Sequence, residues 1–290
     1  MKKILVTGAG GQLGRELQAL AATYPSFDFL FTTRVQLPID RPDQVQSFFD
    51  THRPDYCINC AAYTAVDKAE SDQDAAFGIN GDAPGHLAAA CRSVGARLIH
   101  ISTDYVFDGS SSTPLKEDDP TGPINAYGAS KLEGEKKALA QHPAGTLIIR
   151  TSWVYSEFGH NFVKTMIRLM TEKPAINVVN DQVGSPTYAA DLADAILRIL
   201  SAPVFIPGIY HYSDEGRISW YQFALAIRRL IGSACIVNPI PSTDFPTPAR
   251  RPSWSLLDKS LIRETYTVPI PDWEASLETC IHRLLHSPSK

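Results

Sequence analysis

Tyr127 and Lys131 stand four residues apart in Tyr127-Gly128-Ala129-Ser130-Lys131. On a helix that spacing sends both side chains out of one face, one turn apart. A phenol is a weak acid near neutral pH, with a reference pKa of about 10. A nearby ammonium favours the phenolate and lowers that value. The pair is thus a proton donor with its tuner attached. The competing reading is structural: a half-buried tyrosine, with Lys131 paired to Glu135 one turn on. Upstream lies Ser102-Thr103-Asp104-Tyr105-Val106-Phe107-Asp108-Gly109, reached through the strand-like run Arg97–Ile101.

Other elements must bring these groups together. Lys3-Ile4-Leu5-Val6-Thr7 is a β-rich run that ends in Gly8-Ala9-Gly10-Gly11-Gln12-Leu13-Gly14, and Leu13, Leu17 and Leu20 then recur at helical spacing. Strand, glycine turn and helix without a gap form the context of a dinucleotide fingerprint. Gly8 permits the tight turn, Gly11 lets backbone N–H groups approach a pyrophosphate, and Gly14 lets the helix pack on the strand. The helix N-terminus then faces the phosphates. A second strand, Phe27 to Thr33, ends in Thr32-Thr33-Arg34 with no carboxylate. An acidic residue there reads the NAD ribose and an arginine the NADP phosphate. Arg34 therefore tilts the expectation to NADPH, with NADH as the alternative. Asp40 stands before a helix at roughly 42–52, where it flanks the adenine or caps that helix.

Asp55 to Ala62 reads as the next strand and carries Tyr63 and Thr64 at its carboxyl end, where open α/β sheets bind ligands. Asn80 sits in an interrupted helix over 72–94, as a cofactor contact or a local backbone partner. Asn125 is the expected N-cap of the Tyr127 helix. The βα alternation closes at Thr146-Leu147-Ile148-Ile149-Arg150, which argues for a Rossmann-like doubly wound parallel sheet. We expect residues 1–155 to form the dinucleotide-binding domain. Residues 156–290 should mostly form a smaller substrate-binding lid, with roughly 176–205 returning to the sheet. Helical periodicity appears at 161–172, 187–201, 218–231 and 272–286, with apolar runs at 176–179, 209–212 and 235–240. In the proline-rich stretch Pro239–Pro252, Arg250 or Arg251 either clamps a substrate phosphate or stands as a solvated charge.

The net charge of −4 leaves no basic footprint for nucleic acid. No apolar run approaches the roughly 20 residues that span a bilayer, so no membrane partner is expected. The apolar run after Met1-Lys2-Lys3 stops at Thr7-Gly8, too short for a signal peptide. The five cysteines have no disulfide-framework spacing, as in a reducing compartment. A cytoplasmic location is therefore expected. Cys57 and Cys60 form a C-x-x-C on a strand, where residues three apart point to opposite faces, so they read as two buried thiols.

These residues together resemble the extended short-chain dehydrogenase/reductase superfamily, and within it the dTDP-4-dehydrorhamnose reductase family. The resemblance rests on the Gly8–Gly14 turn, Asn59-Cys60-Ala61-Ala62-Tyr63-Thr64-Ala65-Val66-Asp67-Lys68-Ala69-Glu70, Ser102–Gly109, Tyr127–Lys131 and Arg150-Thr151-Ser152-Trp153-Val154-Tyr155. Further matches are Asn161–Met166, Asp181–Thr187 and Pro248-Ala249-Arg250-Arg251-Pro252. It implies reduction of the C4 ketone of a dTDP-linked 4-keto-6-deoxysugar by NADPH. Tyr127 would protonate the developing alkoxide, Thr103 would hydrogen-bond the same oxygen, and Lys131 would hold the nicotinamide ribose. It implies substrate contacts from Thr103, Asp104, Tyr127 and Trp153. Gly8, Gly11, Gln12, Leu13, Gly14, Arg34, Asp40, Ala62, Tyr63, Thr64, Asn80, Ser102, Tyr127 and Lys131 complete the expected cofactor surface.

Some members of the family bridge two subunits with a magnesium ion held by glutamates. Glu16 matches one such position, but the other falls on Ala190, beside Asp191. No structural metal is therefore expected, a homodimer would lack a bridging ion, and Glu16 reads as a first-turn carboxylate. Two alternatives remain. One is an epimerase or dehydratase of another nucleotide sugar, disfavoured because Thr103 is followed by Asp104-Tyr105 and not by an acidic pair. The other is a non-catalytic NADP-binding subunit resembling the regulatory β subunit of methionine adenosyltransferase.

Overall fold

A computed structural model describes residues 1–286. Six parallel strands form the central sheet. They are β1 (Lys2–Thr7), β2 (Phe27–Phe31), β3 (Tyr56–Asn59), β4 (Arg97–Thr103), β5 (Thr146–Thr151) and a late strand, Gly208–His211. Their spatial order runs from β2 through β1, β3, β4 and β5 to Gly208–His211. The order reverses between β1 and β3, and ligands of such sheets bind at the carboxyl ends beside that switch point. The strands read as continuous apolar runs because helices cover both faces. Ile4, Val6, Ile58, Ile99, Leu147 and Ile149 face one core, whereas Leu5, Cys57 and Leu98 face the other.

Helix α1 (Gln12–Leu20) and the helix Ala189–Ser201 pack together over the first face. The second face carries helix α2 (Pro42–His52) and the helix Ala83–Val94. The interrupted helix over 72–94 is Gln73–Phe77, one π-helical turn at Gly78–Asp82, then Ala83–Val94. Cys57 belongs to the core under the second sheet face and the half-buried Cys60 borders that under the first, the opposite-face arrangement of a strand.

A second core gathers Tyr155, Val163, Met166, Tyr188, Phe223, Ile227 and Leu277. It is built by the helices Phe162–Glu172, Trp220–Leu230 and Trp273–His286 around the parallel pair Ala175–Val179 and Ile236–Ile240. The 176–179 run thus joins the second core, while Ala189–Ser201 and Gly208–His211 join the central sheet. The short helix Ser260–Tyr266 also returns, placing Ile262 in the first core. At seven residues it is too short to announce itself by periodicity. Among the described residues no helix is long and apolar enough to cross a membrane.

Candidate active site

The glycine turn lies at the switch point. Gly8 has φ +66°, and a Cβ there would sit 2.5 Å from the backbone nitrogen of Ala61. Glycine therefore lets the turn touch the loop after β3, which carries Ala62, Tyr63 and Thr64. A Cβ on Gly14 would lie 2.6 Å from the Gly8 carbonyl oxygen, so this glycine seats α1 against the turn. Gly11 is the N-cap of α1 and has no side-chain capping bond. The free N–H groups of Gln12, Leu13 and the first turn, with the open space beside Gly10, fit a pyrophosphate. Ala9 N–H donates to Thr32 O at 3.0 Å, which ties the turn to the end of β2. Arg34 follows on an exposed turn and makes no hydrogen bond or ion pair among the described residues.

Tyr127 and Lys131 share one helix, Ala126–Gln141, capped by Asn125 Oδ1 accepting from Gly128 N–H at 2.7 Å. A Cβ on Gly128 would lie 2.1 Å from the Tyr105 carbonyl, so the helix starts against the Thr103–Val106 turn. Lys131 does not pair with Glu135. Its buried ammonium donates to Ile101 O at 2.6 Å. An ammonium has three donors, so this one bond leaves capacity for the hydroxyls of a ribose.

The tuning differs from expectation. Burial pushes the Tyr127 phenol up to about 12; Thr103 pulls it down by hydrogen bonding and the Asp104 carboxylate pushes it further up. Burial also pulls the Lys131 ammonium down to about 8, against the attraction of Glu135 and Cys60. Loss of hydration dominates at the phenolate, and the ammonium of Lys131 is turned to the Ile101 carbonyl. Tyr127 stays protonated at neutral pH, as a proton donor must.

Thr103 Oγ1 donates to Asp104 Oδ1 at 3.0 Å and accepts from Tyr105 N–H at 3.2 Å. Asp104 is 2 % exposed, and its Oδ2 has no hydrogen-bond partner. Burial pushes this carboxyl up to about 7, with the hydrogen bond from Thr103 among the influences that pull it down. An orphaned buried oxygen is costly and suits a ligand donor. Ser102 is engaged otherwise: its hydroxyl donates to Glu135 Oε1 at 2.5 Å. Glu135 also receives two donors of Arg150, at 2.9 Å from Nε and 2.7 Å from Nη2. This buried network fixes the Lys131 helix to β4 and β5, so the Ser102 side chain supports the site from behind.

Asn80 is spent on protein. Its amide bonds both backbone groups of Tyr63, at 2.8 and 3.0 Å, and the Ser130 hydroxyl at 3.1 Å. It ties the Tyr63 loop to the Tyr127 helix. Asp40 does not cap α2, whose N-cap position is Arg41.

Beside these groups opens a cavity of about 650 Å³. Tyr105, edge-on to Tyr127 with ring centroids 5.8 Å apart, lines it. Phe162, Met166 and Trp220 form an apolar wall, and Gln182, Thr247 and Arg250 bring polar groups. Trp153 stacks on Trp220 with centroids 3.6 Å apart and backs onto Gly184, so it stands behind the cavity wall. Its φ of +48° is unusual for a bulky residue. The reading from sequence singled out neither Tyr105 nor Trp220. Tyr105 lies inside the Ser102–Gly109 motif, but nothing local marks Trp220.

The sequence matches the RmlD substrate binding domain family over residues 1–286. The chain belongs to this family. A dTDP-4-dehydrorhamnose reductase of Burkholderia thailandensis is 43 % identical over 98 % of this chain and 99 % of its own. The crystal structure of a dTDP-4-dehydrorhamnose reductase from Clostridium acetobutylicum superposes with a TM-score of 0.93 at 43 % identity, covering 98 % of this chain and 99 % of that one. The enzyme of that name from Bacillus anthracis, crystallised in complex with NADP, gives a TM-score of 0.93 at 40 % identity, covering 98 % and 100 %.

Glu16, which the resemblance aligned with a metal-binding glutamate of some relatives, has unexpected surroundings. It lies beyond the first turn of α1 and is 1 % exposed, so it is no solvated first-turn carboxylate. Ser156 Oγ donates to it at 2.6 Å. Burial pushes its carboxyl up to about 8, aided by the adjacent Glu157. Asp191 accepts from Ser276 Oγ at 2.6 Å. Among the described residues no cluster of three His, Cys, Asp or Glu is placed to hold a metal ion.

Proposed function

We propose that this chain is an NADPH-dependent reductase that converts the C4 ketone of dTDP-4-dehydro-L-rhamnose to the alcohol of dTDP-L-rhamnose. The observation that carries it is the placement of Tyr127 and Lys131 on one helix whose start packs against the turn that follows Thr103, in a family whose relatives bear that activity's name. The bound cofactor supplies a hydride to C4. Tyr127 gives its proton to the ketone oxygen as negative charge develops there, general acid catalysis worth roughly 10²–10⁴-fold. Thr103 turns its single hydroxyl proton from Asp104 to the same oxygen and fixes its direction. Lys131 holds the nicotinamide ribose, with Gly8, Gly11, Gln12, Leu13 and Gly14 at the pyrophosphate. Ala62, Tyr63 and Thr64 line the switch point, and Arg34 meets the 2′-phosphate. Asp104 accepts a substrate hydroxyl, and Trp153 with Trp220 offers an apolar backing to the deoxysugar.

Residues 1–155 with the returning segments 189–211 and 258–270 hold the cofactor, and the second core holds the nucleotide sugar. The five free cysteines suit a cytoplasmic enzyme. We assign it a homodimer without a bridging metal, so EDTA should leave its elution volume unchanged; dissociation would refute this. Mixed with NADPH and the 4-keto sugar, the protein should consume the reduced nicotinamide and release dTDP-L-rhamnose. Cofactor binding without consumption would overturn the reductase reading. NADPH should show the lower KM of the two nicotinamides, and a preference for NADH would remove Arg34 from its role.

A further inference from the structure

One wall of the cavity is chain with little regular structure. Residues 242–251 carry Pro246 and Pro248 and a single 3₁₀ turn at Ser242–Asp244. Such a segment has no ladder to hold its shape, so its side-chain tethers decide it. At its near end, the Ser242 N–H and hydroxyl both donate to Asp181 Oδ2 at 2.9 Å. At its far end Val183 N–H donates to Ser253 O at 2.8 Å, and several further tethers cross to the cofactor side. Arg251 donates through Nη1 to Asp67 Oδ1 at 2.9 Å and through Nη2 to Asp67 Oδ2 at 2.8 Å. Ala249 N–H adds a bond to Asp67 Oδ1 at 3.2 Å. Asn125 Nδ2 donates to Arg250 O at 2.7 Å, and Ser253 Oγ to Gly109 O at 3.0 Å. Pro252 packs so closely that a Cβ on Gly109 would lie 2.5 Å from it.

The guanidinium of Arg251 also donates to Thr247 Oγ1 at 2.6 Å and Ala249 O at 2.8 Å. Both terminal nitrogens are thus engaged within the protein, although Arg251 too borders the cavity, and a fork-to-carboxylate pair is geometrically specific. Arg250, beside it, is exposed and lines the cavity without a side-chain partner among the described residues. The other end of the clasp is equally placed. Asp67 lies on the turn Val66–Ala69, just after Tyr63 and Thr64. Glu70, next to that turn, accepts Ala126 N–H at 2.8 Å, and Asn125 caps the same helix. The strap is therefore tied to the groups that set where the Tyr127 helix begins.

We propose that Arg251 and Asp67 are positioning residues, a clasp that holds the 247–253 strap in register with the start of the Tyr127 helix and so keeps Arg250 facing the nucleotide-sugar cavity. This rests on the reductase reading. Asp67→Asn and Arg251→Ala should each raise KM for the nucleotide sugar roughly tenfold, with kcat within about twofold and NADPH affinity unchanged. The double variant Asp67→Ala/Arg251→Ala should be no worse than either single, and Arg251→Lys should recover part of the loss. If Arg251 grips the substrate directly, Asp67→Asn will leave KM unchanged or lower it; that result, or additive losses, overturns the clasp. A readout without turnover is trypsin cleavage after Arg250, since Pro252 protects the bond after Arg251. Asp67→Asn should speed that cut about fivefold or more, and an unchanged rate also overturns the clasp. A faster cut in a protein whose wild type reduces no nucleotide sugar would keep the clasp and discard the reductase reading.

Discussion

Tyr127 serves as an acid because its surroundings keep the proton on, with the phenol pushed up to about 12 by burial. Tyr127→Phe should therefore cost at least roughly 100-fold in turnover while leaving NADPH affinity nearly unchanged in a fluorescence titration. The pH profile follows from Lys131, whose ammonium is pulled down to about 8. Reduction measured as kcat/KM for NADPH should fall on the alkaline side near that value, not near the phenol's. A flat profile through that range would contradict the assignment. Asp104 makes the opposite trade. Its folded-state carboxyl, about 7 against a reference of 3.8, binds more protons than the unfolded one between those values, so its contribution to stability is lost as pH rises through that window. The ionised group costs up to about 4 kcal/mol at pH 8, at roughly 1.4 kcal/mol per unit. Asp104→Asn should accordingly raise Tm at pH 8 and give little change near pH 4, while weakening nucleotide-sugar binding.

At the scale of elements, the site depends on how one helix is anchored. Glu135 and Arg150 are both nearly inaccessible, with side-chain exposures of 2 % and 3 %. Removing one partner strands the other in a dry interior, so Glu135→Gln should destabilise the protein by about 3–5 kcal/mol. Glu135→Gln with Arg150→Met should recover part of that loss in urea unfolding. Local features were legible: the Gly8–Gly14 turn, the four-residue spacing of Tyr127 and Lys131, and the Asn125 cap each express themselves within a few residues. Arg251 and Asp67 are 184 positions apart, and no periodicity links them. The Trp153–Trp220 stack and the commitment of Asn80 to Tyr63 were hidden likewise, because the partner of each is set by packing. The tuning of Tyr127 was misjudged because spacing gives proximity, while burial and the carbonyl of Ile101 decide where the ammonium points.

At the scale of the molecule, the alternation of strand and helix foretold a doubly wound sheet, and the expected return of roughly 176–205 takes in Ala189–Ser201 but neither Gly208–His211 nor Ser260–Tyr266. Ala189–Ser201 covers α1, Gly208–His211 pairs with β5, and Ser260–Tyr266 closes the first core. This interleaving bears on how the chain is born. When β5 leaves the ribosome, the apolar edge that will receive Gly208–His211 and the groove that will receive Leu192, Ile196 and Ile199 are still without their partners. The first half must wait, partly formed, for the second, so folding is one long-range event and not two successive ones. A fragment ending at residue 155 should bind the dye ANS and aggregate at micromolar concentration. A monomeric, cooperatively melting fragment would show instead that the first half stands alone. A stretch that reads as a domain in sequence is here only half of a folding unit.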